Sequence, residues 1–164
     1  MSWFDRRTVL FGGAVLTALS ACGFTPAYAP DGAAQRLLGT IALAEPASRA
    51  EYLLAQRLEE RLGRAAVPVW RLSTKLSIND QGLGTSTDGR TTRMQLRGSV
   101  ALTLTGADGA TVLTDTIEGF VGYSTTGSTV ATLAAARDAE ERLMVILADQ
   151  IVDRLVLAAA DLPQ

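Results

Sequence analysis

The sequence predicts an α+β fold: a four-stranded, mostly antiparallel sheet with two helices on one face, in the order βαβββα, following a cleaved N-terminal signal. Three observations predict it. Two segments, Trp70 to Asn79 and Thr92 to Leu104, alternate between apolar and polar residues with a period of two, the mark of a sheet buried on one side and wet on the other. Two further segments, one opening at Ser48 and one at about Leu133, carry apolar residues at helical spacing. The N-terminus sets Arg6-Arg7 before an uncharged run that ends at the single cysteine, Cys22.

That uncharged run, Thr8 to Ala21, is shorter than the roughly 20 apolar residues needed to span a bilayer, so it reads as a secretory signal. It closes on Leu19-Ser20-Ala21-Cys22, which resembles a bacterial lipobox. Small residues there fit signal peptidase II, and the cysteine sulfur carries the lipid. The expected organisation is a lipoprotein signal peptide over 1–21, a lipidated tether over 22–35 and a folded α/β domain over 36–164. The tether contains Pro26, Pro30 and Gly32 with no periodicity, as an extended linker should. No cofactor is expected beyond covalent lipid on Cys22, a diacylglycerol and an N-acyl chain; two or more chains anchor a protein stably without further membrane contact. Arg6-Arg7-Thr8-Val9-Leu10 resembles a twin-arginine export motif, although paired arginines also occur in general secretory signals. Gly23 rather than aspartate follows Cys22, which favours delivery to the outer membrane.

The elements of the domain follow in order. Leu37 to Ala44 is a short apolar strand ended by Pro46. Ser48-Arg49-Ala50-Glu51 is a capping box that opens a helix running to about Leu62, with Leu54, Leu58 and Leu62 on one face and Gly63 as its stop. Its charges read as a solvated face with a Glu60–Arg64 pair. The strand from Trp70 to Asn79 and the strand from Thr92 to Leu104 flank Asp80 to Gly89, which reads as a flexible hairpin loop. Asp108-Gly109 is a tight turn into a fourth strand, Thr111 to Tyr123, where Leu113, Ile117 and Val121 share a face. Asp115 falls among those inward positions, and Gly119 and Gly122 point to a bulge or an end-of-sheet position. The last helix, about Leu133 to Ala159, carries the stripe Ala136, Ala139, Leu143, Leu147, Ile151 and Leu155, widened by Ile146, with an Asp138–Arg142 pair on its flank.

Composition narrows the chemistry. A chain of 164 residues that is 48% apolar supports one domain with a real core. It contains no histidine, which removes the commonest general base, most zinc sites and the histidine-activated nucleophiles. A net charge of −2 gives no basic footprint for nucleic acid, and no carboxylate cluster has calcium-loop spacing, so no metal is expected. The basic residues of interest lie on the polar faces of the middle strands: Arg71, Lys75, Arg93 and Arg97, with Arg90 in the hairpin loop. Cations at such spacing suit phosphates and carboxylates, and also a plain solvated face.

Three features together carry a family resemblance. The lipobox runs straight into Cys22-Gly23-Phe24, and the element order is βαβββα. The close of the chain reads Tyr123-Ser124, a polar loop, then Asp138-Ala139-Glu140, Arg142-Leu143, Leu147-Ala148, Ile151 and Arg154-Leu155. The chain resembles the LptE family of lipopolysaccharide-assembly lipoproteins, in its alphaproteobacterial form. The resemblance implies an outer-membrane lipoprotein, facing the periplasm, that plugs the lumen of an LptD-like β-barrel and helps deliver lipopolysaccharide to the outer leaflet. It also implies lipopolysaccharide binding near the hairpin of the middle strands, where Arg90 is the only cation beside Asp80 and Asp88.

Two rival readings stand beside it. A lipoprotein subunit of a phospholipid-trafficking transporter would share the anchor and a similar α/β build. A lipid-anchored enzyme would have to work with Glu59 and Glu60, with Asp138, Glu141 and Arg142, or with a serine activated by Lys75. Helical carboxylates at such spacing usually face solvent, so no catalytic residue is expected.

Overall fold

The computed structural model describes residues 32–85, 89 and 91–162, and within it the alternating segments become one sheet. Its strands are β1 (Ile41–Leu43), β2 (Trp70–Thr85), β3 (Thr91–Thr105) and β4 (Thr111–Ser124), in the order β1-β2-β3-β4. Helix α1 (Arg49–Leu62) joins β1 to β2, and α2 (Thr129–Ala158) closes the domain. The first pair is parallel, as a helical crossover permits, and the other two are antiparallel. Leu72, Leu96, Val100, Leu102, Leu104 and Val121 turn inward beneath both helices and are buried. The signal segment with Cys22, and Arg90, lie outside the described residues.

Helix α1 starts where its chemistry dictates. Ser48 Oγ accepts from the Glu51 amide at 3.2 Å, and the Glu51 carboxylate accepts from the Ala47 amide at 2.7 Å, one residue earlier than a standard capping box. Gly63, at φ 76°, ends the helix. Leu54, Leu58 and Leu62 are buried as expected. The charges of α1 are not a merely solvated face. Arg57 grips Asp149 of α2 through Nε and Nη2, both at 3.1 Å, and Arg61 reaches the same carboxylate at 2.7 Å. Arg49 spans Glu140 and Glu141 of α2 at 2.6 and 2.7 Å. The expected Glu60–Arg64 pair gives way to Arg57–Glu60 and Glu59–Arg64, because the guanidinium of Arg57 lies between Asp149 and Glu60.

Helix α2 begins at Thr129, four residues before the apolar periodicity suggests, because Ser128 caps it by accepting from the Ala131 amide. Ala139, Leu143, Leu147, Ile151 and Leu155 are buried. The stripe is widened by Met144, Ala148 and Val152, on the side where α1 packs, and Ile146 is left 37% exposed.

Three local expectations change. The first strand shortens to three residues, because Leu37 is buried in a turn after a 3-10 helix, Ala33–Arg36, and Gly39 at φ 68° redirects the chain. This 3-10 helix overlaps the expected tether: Ala34 is fully buried, and Arg36 donates to the Ala159 carbonyl oxygen at 2.8 Å. The stretch expected as a hairpin loop from Asp80 remains β-strand to Thr85, with register shifts at Gly82–Gly84 and Gly84–Thr85. Of the two readings of Gly119 and Gly122, the end-of-sheet position holds: β4 is an edge strand, with no bulge at either glycine. Gly119 faces Gly98 across the ladder, and both lie under α2. A Cβ on Gly98 would come within 2.8 Å of Leu147 Cδ1, and one on Gly119 within 3.2 Å of Leu147 Cδ2. The glycines answer to close helix–sheet approach.

Asp115 does turn inward, and Arg154 of α2 satisfies it with a hydrogen-bonded ion pair. That contact first, and the Thr116 amide second, hold its carboxyl below the usual range; Arg57 does the same for Asp149.

These contacts set three expectations. Gly98→Val should destabilise the domain by about 1–3 kcal/mol through overpacking, whereas Gly122→Val, whose Cβ meets only the Met94 carbonyl oxygen at 3.7 Å, should stay within about 0.5 kcal/mol; urea unfolding measures both. Leu143→Asp, at a fully buried position, should leave no cooperative transition. Asp115 and Asp149 have depressed folded pKa values, so their contribution is present above the unfolded carboxylate pKa of about 3.9 and is lost as pH falls through the folded values. Thermal melts should therefore hold through neutral pH and fall in acid, with a shallower fall in Asp115→Asn.

Candidate interaction face

Among the described residues, no helix covers the outer face of the sheet. The pairing register places its side chains in rows: Asn79, Arg97 and Phe120; Ser77, Ser99 and Glu118; Lys75, Ala101 and Thr116. Four of the expected cations lie on this face, and all are exposed: Arg71, Lys75, Arg93 and Arg97. They do not cluster. Arg71 and Lys75 are four residues apart on β2, and Arg97 and Arg93 continue the series on β3, so successive charges are separated by about 13 Å along the strands. The result is an oblique track of single charges running toward the hairpin of β2 and β3.

The contrast with the helices decides how this face is read. Arg49, Arg57, Arg61, Arg64, Arg142 and Arg154 each pair with a carboxylate. Among the described residues, no carboxylate lies within ion-pair distance of the four track cations; Arg97 donates only to Gln95 Oε1, at 3.1 Å. The carboxylates considered for catalysis are all tied down: Glu59 to Arg64, Glu60 to Arg57, Asp138 to Arg142 and Glu141 to Arg49. No group of three or more metal-ligating side chains occurs among the described residues, and no described helix is long and apolar enough to cross a membrane.

Two features of this end of the sheet were not singled out in the sequence. Phe120, 61% exposed, stands on the outer face directly opposite Arg97. The strand period alone places it there, since Gly119 and Val121 turn inward. With Asn79, Ser99 and Glu118 it rims a depression of about 470 Å³, floored by the backbone at Gly98 and Gly119. On the inner face, the Tyr123 hydroxyl donates to the Asp80 carboxylate. Burial, and then that carboxylate, push the Tyr123 pKa up to about 12. Asp80 is thus part of the sheet and not of a loop.

Comparison with known proteins places this geometry. No curated protein matches the chain. Among solved structures, one described as a lipoprotein from Caulobacter crescentus CB15 is similar with a TM-score of 0.63 and 29% identity, over 77% of this chain and 96% of that one. Rare lipoprotein B from Shewanella oneidensis is similar in fold, with a TM-score of 0.60, 14% identity, and coverage of 74% and 96%. Lipoprotein B from Nitrosomonas europaea is too, with a TM-score of 0.58, 16% identity, and coverage of 76% and 85%. The family model described as LptE, lipopolysaccharide-assembly, matches residues 38–155, from the approach to β1 almost to the end of α2. The chain therefore belongs to the LptE family of lipopolysaccharide-assembly proteins.

Proposed function

We propose that the protein is an outer-membrane lipoprotein, held on the periplasmic side by acyl chains on Cys22 after removal of residues 1–21. There it acts without catalysis as the partner of an LptD-like β-barrel that places lipopolysaccharide in the outer leaflet. The observation that carries this reading is the family match, which spans both helices and all four strands. Physical features support it. A plug in a polar barrel lumen needs a polar exterior and a rigid body, and the outer sheet face is polar while ion pairs join α1 to α2. Arg71, Lys75, Arg93 and Arg97 then serve as a track for the phosphates and carboxylates of lipopolysaccharide, extended by Arg90 at the hairpin.

The test is a pull-down from outer-membrane extract with a tag after Gln164. A large β-barrel should co-purify at about one-to-one. Recovery of inner-membrane transporter subunits instead would move the protein to phospholipid traffic. Cys22→Ala should abolish incorporation of labelled palmitate, and a variant still labelled would overturn the anchor. The double variant Lys75→Glu, Arg93→Glu should keep its melting temperature and retain less lipopolysaccharide on purification.

A further inference from the structure

The depression beside Phe120 has a composition that the cation track does not account for. A single exposed phenylalanine is commonplace. This one stands on an otherwise polar sheet face, and its neighbours are a guanidinium, an amide, a hydroxyl and a carboxylate: Arg97, Asn79, Ser99 and Glu118. The hollow lies where the small Ser99 sits beside the longer Arg97, Glu118 and Phe120. Its floor is rigid, since Leu143 and Leu147 of α2 press on the Gly98–Gly119 pair from the other side.

We infer that this depression is a saccharide subsite, taking an anionic sugar ring of the oligosaccharide part of lipopolysaccharide; this rests on the assembly reading above. A pyranose ring has an apolar C–H face and a rim of hydroxyls. The flat face of Phe120 covers the first. Asn79 and Ser99 offer donors and acceptors to the second, and Glu118 accepts hydrogen bonds from hydroxyls more strongly than a neutral acceptor does. Arg97 presents a planar donor fork that matches a carboxylate or phosphate. The charge balance of the face selects an acidic sugar over a neutral one: Arg71, Lys75, Arg93 and Arg97 stand against Glu118 alone among its described residues. An acyl chain is a poor occupant, because four of the five side chains rimming the hollow are polar.

The experiment titrates the full acylated chain, in detergent micelles, with the water-soluble oligosaccharide cleaved from lipopolysaccharide and freed of its acyl chains. Calorimetry should show saturable binding by the wild type. Phe120→Leu keeps apolar volume without a ring and should weaken binding about tenfold, with an unchanged melting temperature; Phe120→Trp should retain it. Arg97→Ala should weaken it further at low salt. No oligosaccharide binding by the wild type overturns the subsite, as does binding that is equal in wild type and Phe120→Leu. If the barrel is recovered in the pull-down and the oligosaccharide does not bind, the subsite alone falls. If neither is seen, both readings fall.

Discussion

The seating of α2 on two glycines is the contact on which the rest of the domain depends. Leu143 and Leu147 are fully buried, and they descend onto Gly98 and Gly119, which face each other across the β3–β4 ladder. Without side chains in that square of the sheet, the helix sits close enough to cover Leu96, Val100, Leu102 and Val121. Helix α1 then completes the layer by packing beside α2, and the short β1 is held by its three-residue parallel pairing with β2. A tight interior of leucines at near-crystalline density leaves little room for a larger residue at the glycine pair.

Charge is distributed unequally between the two faces of this layer. The Arg57–Asp149 fork and the Arg49 bridge are about one-third to one-half exposed, where such pairs contribute little individually. Their effect is to fix the rotation of α1 against α2. The cations of the sheet are spent on no such task. A protein with a slight acidic excess overall thus presents one face on which positive charge predominates and is uncommitted.

The sequence made the period-two strands, the capping box, the Gly63 stop and the Asp108-Gly109 turn legible, because each depends on neighbours within a few residues. What it concealed depends on partners far along the chain. Arg57 reads as a surface charge until Asp149, on another helix, is brought to it. Gly119 reads as a weakness in a strand until Leu147 is above it. The polar stretch from Asp80 reads as a loop because its glycines and serines suggest one, yet β3 continues to pair with it, and Tyr123 anchors Asp80. The cation track was visible from alternation alone, whereas the hollow beside Phe120 needed the register that sets Asn79, Arg97 and Phe120 in one row.

The hydrogen bond from Arg36 to Ala159 has a consequence for the reach of the molecule. It fastens the point where the chain enters the domain to the C-terminal end of α2, which is also the end of the sheet where Trp70 begins β2. The described chain therefore enters the domain at the foot of the sheet. The sixteen residues of β2 carry the chain about 50 Å from there to Thr85, further than the roughly 30 Å thickness of a bilayer's hydrocarbon core. Thr85 is thus held at a distance from the foot that strand length alone sets, like the top of a mast.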